Sequence, residues 1–393
     1  MSSRDPDPLL SEEAAARLTF LLSDFGLPRV RASCIRTHRP CHLLDVDPRH
    51  HPHAALIRFL LLVALPLGDI GPFEKTAWEI PFSFQDLDCA IALQKFGLRF
   101  YADAEACPSK EKAEHVRDAV LVQIRKGLRL LEVEVLAPLA TSQIEAGEVI
   151  VENQHHQLRG MYQYFRRQAA RRLRPRAQGP RVGAGSMADV LTKVFRDRSE
   201  AFSYTVASIN SYFSMLEHTL VLLLPFFRFD PAREKLKSLI GSKWSEKYKR
   251  IFSIEDDAHA ESLYHGLRGV AEEYRNPYAH GGFDKPVSSL YFHVPGYGVF
   301  PARLTSLTPS PIVAFLGGDA DSEQVWKLFD EVDEWLLKGP ARYGLVYIKA
   351  GLDVRFDTGF VEQNQRAATS LRAFRRYVRG LAEQADRAAN MEG

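Results

Sequence analysis

The sequence contains little cysteine, four residues in a chain of 393. A content this low argues against a disulfide-stapled scaffold and is typical of a reducing compartment. Long hydrophobic runs are also missing, because the two longest, residues 59–67 and 220–227, fall short of the roughly 20 residues that cross a bilayer. Residues 1–8 carry charges of both signs and two prolines, so no secretory signal is expected. We therefore expect a cytoplasmic protein that does not bind membranes.

The sequence also lacks the common signatures of catalytic and cofactor sites. A net charge of +2 identifies no partner by itself. The glycine-rich residues 183–186 lack the lysine and the spacing of a phosphate-binding loop, and they are interpreted as a linker. Cys34, His38, Cys41 and His42 resemble a metal cluster, but a structural zinc site has tighter ligand pairs, so a solvated loop is favoured. We find no nucleophile elbow and no paired catalytic carboxylates, and we predict no cofactor and no metal.

The hydrophobic pattern predicts a mainly α protein. Residues 54–67 are too uniformly apolar to distinguish buried helix from strand, and residues 69–110 read as short strand-like and helical pieces separated by prolines and glycines. Two strands, residues 290–294 and 299–304, flank a Pro-Gly-Tyr-Gly turn and predict a hairpin. Helices are predicted over residues 9–25, 110–136, 150–174, 187–227, 257–275, 321–338 and 361–390.

Breaks in this pattern divide the chain into three segments. Residues 1–157 are expected to form an N-terminal mixed α(+β) domain of uncertain fold. Residues 158–186 are expected to be an arginine-rich helix end and linker, since prolines and glycines follow the arginines. Residues 187–393 are expected to form a bundle of long helices with the small β-hairpin inserted, because their apolar stripes must be buried against one another.

Positive charge is concentrated in residues 159–181, where eight arginines occur and no acid lies between Glu152 and Asp189. This tract could be a solvated helix face and linker. It could also follow the phosphates of RNA, with interleaved aromatic residues for stacking, or recruit an acidic protein partner. The arginines predicted to contact RNA are Arg166, Arg167, Arg171, Arg172 and Arg174.

One stretch carries most of the recognisable chemistry, residues 275–283, where a predicted helix ends. Arg275 and Asn276 are followed by Pro277, by His280 and by two glycines. The plain interpretation is a helix end at which Arg275 complements the helix dipole and His280 caps or packs. The alternative is phosphoryl chemistry, because an imidazole exchanges protons near neutral pH and a guanidinium matches phosphate oxygens.

A second polar group comes from the long helix predicted over residues 187–227. Asn210, Ser214, Glu217 and His218 recur there at helical spacing, opposite an apolar stripe. Acid–base cleavage of RNA needs two proton-handling groups, and residues 275–283 supply one imidazole. Either Glu217 or His218, or a second copy of the motif in a symmetric dimer, would supply the other.

These residues resemble the HEPN superfamily, whose motif is an arginine, usually followed by a polar residue, with a histidine four to six residues later. Arg275, Asn276 and His280 match that motif, and the resemblance extends over residues 190–393. It implies a HEPN-like helical bundle and a metal-independent RNA endonuclease that acts as a homodimer and leaves 2′,3′-cyclic phosphate ends. His280 would be the acid or base, Arg275 the phosphate stabiliser and Asn276 the positioner, with Glu217 or His218 as accessory groups.

The resemblance further implies a role in bacterial defence or in a toxin–antitoxin pair, with an antitoxin or regulatory protein as partner. Some HEPN proteins lack catalysis and serve as nucleotide-binding, RNA-binding or dimerisation modules, which is the alternative function. A third interpretation, from the residues alone, is a structural interaction protein whose arginine tract recruits an acidic partner.

Overall fold

The computed structural model describes residues 10–29, 40–47, 49, 51–173, 187–227, 229–230, 233–275, 289–296, 298–303 and 319–390. The chain forms two compact units, one of Met1–Ile144 with Glu383–Gly393 and one of Glu145–Ala382. These two units differ from the three segments expected from the sequence. The bounds of those three segments stay a prediction.

The first unit combines helices with one antiparallel sheet. Its strands follow the order β1-β3-β4-β5-β2. Its elements are α1 (Glu12–Leu21), β1 (Phe25–Gly26), β2 (Cys41–Asp45), α2 (Ala54–Ala64), β3 (Thr76–Phe84), β4 (Leu87–Gln94), β5 (Gly97–Asp103) and α3 (Lys110–Leu131). A π-helical turn, Glu132–Leu136, and α4 (Ala137–Ala146) follow.

Residues 76–103 form a continuous meander, not the mixture of short pieces expected there. A two-residue turn joins β3 to β4, and both Gln85 and Asp86 have the positive φ angles that such hairpin turns require. Pro81 lies inside β3, where a break was expected. It is tolerated because β1 pairs only with Ser83 and Phe84, so β3 is an edge strand beside Pro81.

The sheet buries one face under three helices. Ile80, Phe82 and Phe84 alternate along β3 and are almost fully buried. They share one hydrophobic cluster with Leu18 of α1, Ile57 and Leu60 of α2, and Ile124 of α3. This alternation on β3 and the helical spacing on α3 explain why both elements form from these residues.

The second unit is mainly helical. Its described elements begin with β6 (Ile150–Val151), α5 (His155–Leu173), α6 (Met187–Leu223), a 3₁₀ turn (Leu224–Phe226), α7 (Leu236–Gly241), α8 (Trp244–Ile251), α9 (Ala258–Val270) and a π-helical turn (Ala271–Arg275). They continue with β7 (Ser289–Val294), β8 (Gly298–Arg303), α10 (Asp319–Lys338), α11 (Arg342–Lys349), β9 (Val354–Arg355), α12 (Thr358–Ala367) and α13 (Leu371–Asn390), of which residues 383–390 belong to the first unit.

Two expectations for this unit have different outcomes. The hairpin is confirmed, because β7 pairs with β8 in antiparallel register. The single helix expected over residues 361–390 is wrong, since α12 and α13 are separate helices. Ser370 starts the second one: its side-chain oxygen accepts from the backbone N–H of Ala373, and its carbonyl accepts from that of Phe374.

Aromatic side chains fill the core between α5, α6 and α10. The ring of Tyr212 stacks on that of Phe329 with centroids 3.7 Å apart, and Tyr162 of α5 meets Tyr212 edge-on at 5.1 Å. The expectation of a mainly α protein is confirmed by the helices of both units, and the five-stranded antiparallel sheet of the first unit adds to it. Among the described residues, no helix combines the length and the apolarity needed to cross a membrane.

Candidate functional site

Arg275 is the last residue of the π-helical turn that follows α9. Asp257 starts α9, because its carboxylate accepts from the backbone N–H groups of His259 and Ala260 at 2.9 and 3.1 Å. The helix then widens over Ala271–Arg275. Widened turns of this kind are rare and often mark functional sites. Asn276 and His280, the next residues of the predicted motif, lie outside the described residues.

The guanidinium of Arg275 lies against two side chains of α6. Its central carbon is 5.2 Å from the centre of the Phe213 ring, a cation–π contact. One of its nitrogens, Nη2, is 3.5 Å from Oε2 of Glu217. Phe213 and Glu217 are four residues apart and therefore on the same face of the helix. The structure thus brings together Arg275 and Glu217, and leaves 27% of the arginine side chain exposed.

A buried lysine, which the sequence reasoning missed, completes this group. Lys247 of α8 is 1% exposed, and its Nζ donates to Oε1 of Glu217 at 2.9 Å and to the Ser242 carbonyl at 2.7 Å. Lys247 occupies an apolar helical position, three residues after Trp244 and one before Tyr248, both of which are buried. A lysine within such a stripe is the pattern that could have indicated it.

We call Arg275, Glu217 and Lys247 the Glu217 triad. The triad contains two cations and one carboxylate, so it carries one net positive charge. The exposed part of the Arg275 guanidinium presents that charge to solvent. Glu217 is fixed from both sides, since each carboxylate oxygen faces a different cation. In this arrangement Glu217 orients the guanidinium, and an anion such as a phosphate could bind to the exposed edge of Arg275.

His218, the neighbour of Glu217, takes part in a different group. Its Nε2 accepts a hydrogen bond from the backbone N–H of Gln154 at 3.0 Å, so the proton of the neutral ring is on Nδ1. Burial lowers the pKa of His218, and Glu152 opposes that shift. Glu217 and His218, predicted as alternative accessory groups, therefore have different surroundings.

The start of α5 holds two further histidines that the sequence did not single out. His155 is 3% exposed, its Nδ1 donates to Oγ1 of Thr219 at 3.0 Å, and its Nε2 is buried without a hydrogen-bond partner in the described part of the chain. Burial lowers the pKa of His155 to about 4. His156 donates through Nε2 to the Lys349 carbonyl at 2.9 Å. These contacts attach the start of α5 to α6 and α11.

The arginines of α5 are largely engaged by acids from other helices. Arg166 donates twice to Asp330 of α10, at 2.5 and 2.7 Å, and Arg172 donates to Glu200 of α6 at 2.7 Å. Of the other arginines predicted to contact RNA, Arg167 and Arg171 are exposed and Arg174 lies outside the described residues. A tract without acids in the sequence is thus partly neutralised in space.

No group of three or more His, Cys, Asp or Glu side chains in the described part of the chain could hold a metal ion. Of the residues that resemble a metal cluster in the sequence, Cys41 and His42 lie in β2. His42 bonds through Nε2 to the Cys107 carbonyl at 2.9 Å, which is a structural contact. Cys34 and His38 lie outside the described residues.

Comparison with known proteins adds no identification to this geometry. No protein-family model matches the chain, no curated protein is significantly similar to it, and no solved structure matches it significantly. The resemblance to the HEPN superfamily therefore remains a proposal that depends on the residues themselves.

Proposed function

We propose that the chain is a metal-independent RNA endonuclease of HEPN type, with a HEPN-like bundle in residues 187–393. Arg275 stabilises the phosphate, Asn276 positions it and His280 is the general acid or base. The observation that carries the proposal is the placement of Arg275: it ends a helix, stacks on Phe213, is oriented by Glu217 and is still 27% exposed.

This placement suits phosphate chemistry for two reasons. A guanidinium held by stacking and by one carboxylate loses little freedom when a second anion binds, so more of the interaction energy favours the transition state. The triad also keeps one net positive charge beside a chain segment that carries an imidazole, and RNA cleavage develops negative charge on the phosphate. The other proton-handling group would come from a second copy of the chain in a homodimer.

A second candidate function is a non-catalytic HEPN-like module that binds a nucleotide or RNA, or that supports a dimer. One observation favours it: Glu217 already engages Arg275 and also neutralises the buried Lys247. In that case the triad holds α6, α8 and the end of α9 together, and catalysis is absent. Roles in bacterial defence or in a toxin–antitoxin pair, with a regulatory protein as partner, follow from the resemblance only.

Cleavage of labelled RNA in the presence of EDTA tests the enzyme. The wild-type chain should cut RNA and leave 2′,3′-cyclic phosphate ends, whereas His280→Ala should lower the rate by at least about a hundredfold, the usual contribution of a general acid or base. His265→Ala is the matched control, since His265 is an exposed histidine of α9, and it should leave the rate unchanged.

Arg275→Lys distinguishes the two candidate functions. It keeps the charge but loses the planar fork, so cleavage should fall steeply while the unfolding midpoint changes little. Absence of cutting by the wild-type chain, or cutting that survives His280→Ala, would contradict the enzyme. RNA retention without cutting would instead support the non-catalytic module.

A further inference from the structure

Helix α13 carries a row of arginines that the sequence reasoning passed over. Arg372, Arg375, Arg376 and Arg379, here called the arginine stripe, are all exposed. Their spacings of three and four residues place them along one side of the helix. From the first to the last, the stripe covers about 10 Å of helix length at 1.5 Å per residue.

The arginine stripe has no acidic partner among the described residues, whereas α5 has several. No ion pair involves any of its four guanidiniums in that part of the chain. No acid occurs between Glu362 and Glu383 in the sequence, and Glu362 pairs with Arg366, so α13 itself supplies no partner within the stripe. Four charges of one sign are thus held together without neutralisation.

The opposite face of α13 is already used for folding. Phe374 and Val378 are at most 3% exposed, and the Phe374 ring meets that of Tyr343 at 5.3 Å. A basic amphipathic helix can lie on a membrane only if its apolar face is free to enter the lipid. Since that face is in the core, α13 does not insert into lipid, and its charged face is the part open to a partner.

Aromatic and cationic side chains of α11 lie beside this helix. Arg342 places its guanidinium 5.0 Å from the centre of the Tyr343 ring, and Arg342 is itself exposed. Tyr343 and Tyr377 are both half-buried, so each presents part of a ring to solvent. Guanidiniums next to partly exposed rings are the combination that binds single-stranded nucleic acids, by phosphate contacts and by base stacking.

We propose that the arginine stripe binds the phosphate backbone of single-stranded RNA. A straight row of forked guanidiniums matches a linear polyanion with a charge on every nucleotide, and the half-buried ring of Tyr377, which follows Arg376 in the helix, offers stacking that an acidic protein would not use. The choice of RNA over DNA rests on the proposed function. The surface itself does not, because it lies in residues 372–379 and needs neither Arg275 nor His280.

Binding without cleavage tests this surface. The probe is a short, fluorescent, mixed-sequence 2′-O-methyl RNA, which has no 2′-hydroxyl to attack, titrated with the full chain at low salt. Arg372→Gln/Arg376→Gln should weaken binding about tenfold, because two phosphate contacts are lost. Arg355→Gln/Arg366→Gln is the control, since both side chains are exposed and each is paired with an acid, and it should change the affinity by at most about twofold.

Three outcomes would overturn the proposal: no measurable RNA binding, equal loss in both double variants, or displacement of the RNA by polyglutamate of equal charge. The last would assign the stripe to an acidic protein. Thermal unfolding of each variant shows that glutamine, a residue of similar helix propensity, has left the fold intact. The proposed enzyme is tested independently of this surface. A chain that binds RNA but does not cut it would contradict the enzyme and leave the RNA-binding surface intact.

Discussion

Helices α5 and α13 are both rich in arginine and belong largely to the same unit, yet their charges are used differently. On α5, Arg166 bonds to Asp330 and Arg159 to Asp333, with N–O distances of 2.5 to 2.9 Å. On α13 the arginine stripe faces solvent. The difference shows that the density of arginine along a chain does not define a binding surface. What defines it is whether folding brings acids to the same place.

Arg275 lies between these two cases. It has a carboxylate partner, but it shares Glu217 with the buried Lys247. The positive charge of Arg275 is therefore only partly neutralised, and part of its guanidinium is exposed. A site that must hold a cation firmly and still offer it to an anion needs this intermediate arrangement.

The largest expected effect is a loss of folding stability on acidification, and it comes from the contacts that attach the start of α5. His155 has a pKa of about 4 in the folded chain against an ordinary 6.5, because it is buried. After burial, Arg159 and His156 of α5, Lys349 of α11 and His218 of α6 lower this pKa further. Between pH 6.5 and 4 the unfolded chain binds the proton and the folded chain does not, so stability is lost as the pH falls. The loss from this residue should be about 3 kcal/mol.

Urea unfolding across that pH range measures the effect. His155→Gln does not titrate and can still donate to Thr219, so its stability curve should be flatter than the wild-type curve. The difference between the two curves should change by about 3 kcal/mol over the window. His265→Gln, an exposed position, should parallel the wild type. If the His155 variant also parallels the wild type, the burial of the imidazole is not what the structure indicates.

The next largest loss of stability is expected when one partner of the ion pair between Arg159 of α5 and Asp333 of α10 is removed. Among the described residues, Arg159→Met leaves Asp333 with the hydroxyl of Tyr212 as its side-chain hydrogen-bond partner, and burial already raises the pKa of Asp333. Breaking a buried pair costs several kcal/mol, and both side chains here are partly exposed, so the expected loss is about 2 kcal/mol. Arg167→Met, an exposed position on the same helix, should cost at most about 0.5 kcal/mol.

A double variant separates the pair from the packing. Arg159→Met/Asp333→Asn removes both charges, so it should recover about half of the loss measured by urea unfolding. If the double variant is less stable than Arg159→Met by the full cost of a second independent substitution, the two side chains do not interact, and α5 would resemble α13 more closely than its contacts indicate.

A smaller loss of stability is expected in the Glu217 triad, where one carboxylate is shared by two cations. Glu217→Gln leaves Lys247 buried with the Ser242 carbonyl and an amide oxygen, which should cost about 1.5 kcal/mol of unfolding free energy. Adding Lys247→Met should restore most of it, because the buried ammonium is then gone. If Glu217→Gln changes nothing, the carboxylate neutralises neither cation.

Local pattern allowed much of the second unit to be predicted. Helical spacing defined α6 and α9, and the turn residues after Val294 predicted the β7–β8 hairpin. The same spacing placed Glu217 on a polar face of the long helix, and the structure brings it to Arg275. The helices and the hairpin depend on contacts between residues close in sequence, which is why one sequence was sufficient to predict them.

Long-range features could not be predicted. The acid that engages Arg166 lies 164 residues away, so the tract was interpreted by its own composition. The strands β3 to β5 bury residues on both faces and include Pro81, which hides their alternation. The break at Ser370 depends on a single cap within an otherwise helical pattern. In each case the deciding partner is set by the fold and not by the neighbouring residues.

The salt dependence of RNA binding is expected to differ between the arginines of α5 and those of α13, and this effect is smaller than the stability losses above. If the arginine stripe contacts phosphates, the logarithm of the RNA affinity should fall with the logarithm of salt concentration, with a slope that drops by about 0.7 for each contact removed. Arg376→Gln should therefore reduce the slope by about 0.7, and Arg172→Gln, at an α5 side chain paired with Glu200, should leave it unchanged. Equal slopes for the wild type and Arg376→Gln would place the phosphates elsewhere.

The smallest expected effect is the stability of the arginine stripe variants themselves. Arg376 is exposed and has no ion pair among the described residues, so Arg376→Ala should change the free energy of unfolding by at most about 0.5 kcal/mol. Phe374→Ala, two residues earlier on the buried face, should instead cost about 3 kcal/mol or more and confirm that the assay reports on α13. A loss above 1 kcal/mol for Arg376→Ala would mean that this arginine is used in folding, as Arg166 is. An arginine that contributes nothing to stability and yet controls RNA affinity is available to a partner.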